Sequence, residues 1–154
     1  MPCIAGNCGP GGLILQIALC RDAANLQALV APIPPGGSPP QLRMYNALLD
    51  TGASATCISP AAVNHLGLSP IGESQMISAS HVVPANQYRF AVGFPIAFQQ
   101  NPAGIMSGQF HLFDNVAGLE FQPAASAYDV LIGMDIIMRG HLSIDFQGRF
   151  CFSF

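Results

Sequence analysis

An apolar stretch, Ala47-Leu48-Leu49, runs straight into Asp50-Thr51-Gly52-Ala53-Ser54, and this switch from strand residues to turn residues constrains the chain most. The acid stands at the end of a strand that belongs in a core, where the following turn can aim backbone N–H groups at its carboxylate. Burial alone raises a carboxyl pKa and donated hydrogen bonds favour ionisation, so protonation at such a position is open to tuning. Alone, Asp-Thr-Gly is equally ordinary turn chemistry, since Asp and Gly both populate turns. A second apolar strand, Asp129-Val130-Leu131-Ile132-Gly133, also ends at a glycine turn, and each is followed by a short helical pattern. Two pseudo-symmetric halves would produce that echo.

The rest of the chain reads mainly as strands. Leu13 to Cys20 is an apolar run of strand length, and Arg21 to Pro40, which closes on Pro-Ile-Pro-Pro-Gly-Gly-Ser-Pro-Pro, reads as an insertion loop. Ser59-Pro60 opens and Gly67 closes a short helix. Gln75 to Phe98 is extended, with turns at Ser78-Ala79-Ser80-His81 and Pro84-Ala85-Asn86. Strands are expected at Gly108 to Phe113 and Tyr128 to Ile132, then a brief helix from Met134 to Arg139 ended by Gly140. Finally Leu142, Ile144 and Phe146 alternate with polar residues, a Gln147-Gly148 turn follows, and Phe150, Phe152 and Phe154 alternate with Cys151 and Ser153. That pattern predicts a hairpin with one apolar face. Residues 1–12 are expected to be a flexible segment ahead of one domain over 13–154, with 21–40 as its Pro/Gly-rich insertion.

The 154 residues suit a single domain, and 51% hydrophobic with 8% charged residues places the chain far from the disordered class. No apolar run is long enough to span a bilayer as a helix, so no membrane partner is expected. Five Arg, no Lys and a net charge of −3 provide no basic stripe for phosphates, which argues against nucleic acid. So few charges on so apolar a chain predict a surface partly covered by a partner. The N-terminus shows no signal-peptide pattern, and the default expectation is cytoplasmic. Cys3, Cys8, Cys20, Cys57 and Cys151 are odd in number and irregularly spaced, which favours reduced thiols; Cys151 reads as a buried free thiol, with a bridge between protomers under oxidation as the alternative. His65, His81, His111 and His141 are scattered singly, so neither a metal nor any cofactor is expected.

Ala47-Leu48-Leu49-Asp50-Thr51-Gly52-Ala53-Ser54, then Val130-Leu131-Ile132-Gly133-Met134-Asp135-Ile136-Ile137, then a short terminal β segment: this order resembles the retropepsin family of aspartic proteases, the retroviral-type enzymes and their bacterial relatives. The resemblance runs from about Leu13 to Phe154 in element order and rests at residue level on the two motifs. It implies an all-β protomer, a closed β-barrel with one or two short helices, in which the strand ending at Leu131, Ile132 and Gly133 threads beside the Asp50 loop. It implies a homodimer too, because one Asp-Thr-Gly supplies only half of a carboxylate pair. In such a pair one Asp50 acts as general base on a water and the other donates a hydrogen bond to the scissile carbonyl of a polypeptide, with no covalent intermediate.

By the same resemblance Thr51 bonds across the dimer, and Gly52, Ala53 and Ser54 support the site. The hairpin comprising Ile77, Ser78, Ala79, Ser80, His81, Val82 and Val83 is the flap that closes on substrate. Ile77, Val82, Val83 and Ile105 are the expected apolar lining, with apolar residues preferred around the cut. Ser54 and Met134 stand where many retroviral enzymes carry an acid and an arginine, so the ion-pair network between those positions is absent. Phe150, Phe152 and Phe154 then either bury against the partner or join the chain's own core. Asp129, Asp135 and Asp145 read as structural, Asp135 because an acid suits the start of a helix. The alternative function is a catalytically silent dimerisation or peptide-binding module of the same fold, and a weaker one is an acid hydrolase of non-peptide amides or esters.

Overall fold

The computed structural model describes residues 2–30, 42–77, 82–100, 106–122 and 127–154. Its first strands are β1 (Cys3–Asn7) and β2 (Leu13–Cys20), with helix α1 (Ala23–Val30) before β3 (Met44–Leu49). Next come β4 (Cys57–Ile58), α2 (Pro60–Leu66), β5 (Gly72–Ile77), β6 (Val82–Gln100) and β7 (Met106–Glu120). The chain closes with β8 (Val130–Ile132), α3 (Met134–Ile137), β9 (His141–Ile144) and β10 (Arg149–Ser153). The fold is all-β with three short helices among the described residues. No helix among them is long and apolar enough to cross a membrane.

Seven strands form one sheet in the order β2-β3-β8-β4-β7-β6-β5, and a further β2–β6 pairing closes it into a ring. Alternation explains the inside of that ring. Leu13, Leu15 and Ile17 of β2 and Tyr45, Ala47 and Leu49 of β3 are buried on one face. They meet Phe90, Val92 and Phe94 of β6 and Val130 and Ile132 of β8 in one core. From Ile17 onward β2 is buried on both faces, because Leu26 of α1 packs over Ala18 and Cys20 on the outer side. β1, β10 and β9 make a second, three-stranded sheet.

Several expectations change against this frame. Residues 1–12 are not simply flexible: Cys3–Asn7 pairs antiparallel with β10, and Cys8 N–H donates to the Gly148 carbonyl. Within 21–40, Ala23–Val30 is a helix, since Asp22 accepts the Asn25 N–H at its start and prolines begin only at Pro32; residues 31–40 lie outside the described residues. Pro84-Ala85-Asn86 is not a turn but part of β6, paired with Gln75, Ser74 and Glu73. Among the described residues β6 has a neighbour on only one side there, which is where a strand tolerates proline. β7 is longer than the strand expected at Gly108 to Phe113, and it bends where Asn115 adopts φ +56°, a value Asn accepts more readily than most residues.

β4 lies outside the expected strands, and β5 begins at Gly72, ahead of the extended span expected from Gln75; α2, β8, α3 and the terminal strands match the sequence pattern within the usual fraying of ends. The α2 helix starts with Ser59 Oγ accepting the Ala62 N–H and ends at Gly67, φ +60°. The terminal hairpin is real, but its apolar residues part company. Phe150 and Phe152 enter the chain's own core, where Phe152 and Phe94 meet with ring centroids 5.6 Å apart. Ile144 and Phe146 stay 54% and 94% exposed.

Candidate active site

Asp50 follows β3 at the point where β3 runs parallel to β8, with Leu49 beside Ile132. The pairing continues one step further through Asp50 N–H to the Ile132 carbonyl at 2.9 Å. The chain then turns back: Ala53 N–H reaches the Asp50 carbonyl at 3.2 Å, and Gly52 N–H donates to Asp50 Oδ1 at 2.8 Å. The carboxylate is therefore half-buried at a strand end and held by a backbone donor. Thr51, Gly52 and Ser54 are exposed, and Ala53 is half-buried.

The Gly133 turn locks this loop from the other side. Met134 N–H donates to the Ala53 carbonyl at 2.8 Å, and Gly133 N–H donates to Thr56 Oγ1 at 3.2 Å. A Cβ on Gly133 would sit 2.5 Å from the Ala55 carbonyl carbon and 2.9 Å from Thr56 N, so only glycine permits this backbone approach. Thr56 is fully buried, and its hydroxyl donates a hydrogen bond to Asp135 Oδ1 at 2.8 Å. The two motifs of the sequence thus form one hydrogen-bonded unit, with Leu131 and Ile132 in β8 as its central strand.

Sequence reasoning missed Thr56 and treated Asp135 only as a helix-opening acid. A lone Thr four residues beyond Gly52 carries no pattern that marks it; its partners come from 77 and 79 residues away. Cys57 beside it is buried, and its thiol is pushed up to about 11, first by burial and then by the charges of Asp135 and Asp50. Asp129 is structural, accepting the Asn46 N–H at 3.3 Å and donating its own N–H to Asn46 O. Asp145 is also structural, but it lies in the turn after β9 and grips Arg149.

The expected flap corresponds to the β5–β6 hairpin, whose pairing runs out to Ile77 opposite Val82. Ser78, Ala79, Ser80, His81 and Ile105 lie outside the described residues. Ile77 and Val82 are strongly exposed and Val83 partly so. Of these, Val83 lines a cavity of about 560 Å³ between the hairpin and the end of β7, together with Met76, Glu73, Glu120 and Phe121. Thr51 lines a separate groove of about 490 Å³ that runs along α3 and β9 to Ile144.

The described geometry has relatives. The model of a protein family described as aspartyl protease matches residues 36–136, a span that includes both the Asp50 loop and the Gly133 turn. In fold the chain is similar to a retropepsin-like aspartic protease from Rickettsia conorii, with a TM-score of 0.57 over 99% of this chain and 90% of that one. At 15% identity this is a likeness of fold. No curated protein sequence matches the chain.

Proposed function

Because the chain belongs to the aspartyl protease family, we propose that it is an endopeptidase whose working unit is a homodimer with one Asp50 from each copy. The observation that carries this reading is the placement of Asp50, alone at the end of β3, half-buried, and held by Gly52 N–H and the Ile132 carbonyl. One Asp-Thr-Gly occurs in these 154 residues, and in this reading a second copy supplies the other carboxylate. Two adjacent carboxylates share a proton; the ionised one takes a proton from water while the protonated one donates to the scissile carbonyl. The carboxyl that took the water's proton then gives it to the departing nitrogen while the other takes back the proton on the former carbonyl oxygen, so the tetrahedral species collapses to acid and amine and the pair returns to its starting charge.

Exposed apolar surface supports the pairing. Met138, Ile144 and Phe146 protrude around β9, which among the described residues has a strand neighbour only on its β10 side. An apolar strand edge of this kind is costly in a monomer and suits a two-fold contact. The groove beside it includes Thr51, which joins this surface to the Asp50 loop. Ile77, Val82 and Val83 on the hairpin support its reading as a flap with a preference for apolar substrate residues, since a closing lid would cover them. Free thiols at all five cysteines suit a reducing, cytoplasmic setting.

The test is digestion of a mixed peptide library by wild type and Asp50→Asn, at mildly acidic and neutral pH, with sedimentation at the same concentrations. Cuts made by the wild type and lost in a folded, dimeric mutant are expected. A verified wild-type dimer that cuts nothing at either pH would leave the peptide-binding module as the better reading.

A further inference from the structure

The register of β1 on β10 sets Cys3 opposite Ser153 and Ala5 opposite Cys151. Directly opposed residues of an antiparallel pair share a face, as do residues two apart along one strand, so Cys3 and Cys151 are diagonal neighbours on one face. Their thiols interact: hydrogen bonding to Cys3 is the foremost reason that the Cys151 thiol is raised, ahead of desolvation and the Cys3 charge. Cys3 is exposed and Cys151 half-buried, so a small oxidant can reach the pair. The other thiols are placed differently. Cys20 and Cys57 are buried, which keeps an oxidant away from their thiols. Cys8 is exposed but spends its S–H on the neighbouring Gly9 carbonyl.

We infer that Cys3 and Cys151 form an oxidative modification site, a dithiol that low-molecular-weight disulfides convert to an intramolecular bridge between β1 and β10. The Cys3 thiolate attacks one sulfur of the oxidant RSSR, expelling one RS⁻ and leaving a mixed disulfide. The Cys151 thiolate then attacks the Cys3 sulfur and expels the second RS⁻. The two protons and two electrons lost by the protein leave as two RSH.

Diagonal neighbours have Cα atoms about 7–8 Å apart, against about 6.8 Å at most for a disulfide, so the strands must close by roughly 1 Å. β1 can supply that movement, because among the described residues it pairs only with β10. The bridge would enclose nearly the whole chain and so remove more unfolded-state freedom than a short-range one. This inference is independent of the protease reading.

The test is incubation of the full chain with glutathione disulfide, followed by peptide mass mapping without reduction and by thermal unfolding. The expected result is a Cys3–Cys151 linked peptide lacking two hydrogens and a Tm raised by roughly 5–10 °C, both reversed by a dithiol reductant. Cys3→Ser and Cys151→Ser should each abolish the linkage, and Cys8→Ser should preserve it. Glutathione retained on Cys3 without a bridge, a Cys3–Cys8 bridge, or a Cys151 bridge between two copies would each overturn the assignment.

Discussion

The Thr56 hydroxyl donates to Asp135 Oδ1 at 2.8 Å while accepting the Gly133 N–H at 3.2 Å, so one buried oxygen ties the Asp50 loop to the glycine turn. Thr56 and Gly133 are both buried, so no water replaces the hydroxyl at the Gly133 N–H.

Replacing Thr56 with Val keeps the shape and removes both bonds, which strands the buried Gly133 N–H and takes a donor from the half-buried Asp135 carboxylate. The expected loss is about 2–4 kcal/mol of stability, measured by urea unfolding, with Thr56→Ser recovering most of it. In the proposed enzyme the same change should lower kcat more than it alters KM, because it loosens Asp50 and leaves the hairpin proposed as the flap untouched. A Thr56→Val variant as stable as wild type would show that the bridge contributes nothing.

Phe146 is 94% exposed, so Phe146→Asp should leave monomer stability within about 0.5 kcal/mol. If β9 and its neighbours form the two-fold contact, the same change should weaken the dimer by at least about 30-fold, the scale of an interface anchor. Sedimentation equilibrium across a concentration series reads both species. A dimer of unchanged affinity would move the interface elsewhere.

Asp145 holds the terminal turn together. Its carboxyl lies below its ordinary value of 3.8, first through the Arg149 N–H and then through the Arg149 side chain. A carboxyl depressed in the folded state adds stability that is present above its unfolded-state value and is lost as pH falls through the folded one. Asp145→Asn should therefore lower Tm near neutrality, and the gap from wild type should narrow on acidification to about pH 3. A gap that stays constant with pH would exclude this linkage.

Much of the site could be read from residues alone. A strand of Ala47, Leu48 and Leu49 ending at an acid, and a second ending at Gly133, are local patterns, and local patterns survive without coordinates. Ser59 and Gly67 bounded α2 correctly for the same reason, because a cap acts within its own turn. β1 was not legible: Cys-Ile-Ala-Gly-Asn has weak strand character, and its pairing comes from β10 at the far end of the chain. The α1 helix was hidden by the prolines that follow it.

What the sequence determined by itself was the alternation that builds an all-β ring and the two breaks, at Asp50 and Gly133, that place a carboxylate beside a glycine turn. Tertiary structure alone decided that Phe150 and Phe152 serve this chain's core while Ile144 and Phe146 face outward. It also decided that Thr56 meets Asp135, and that Cys3 lies diagonal to Cys151. The reason is physical: periodicity says which side of a strand is apolar, whereas the neighbour that covers that side is set by pairing between segments distant in the chain.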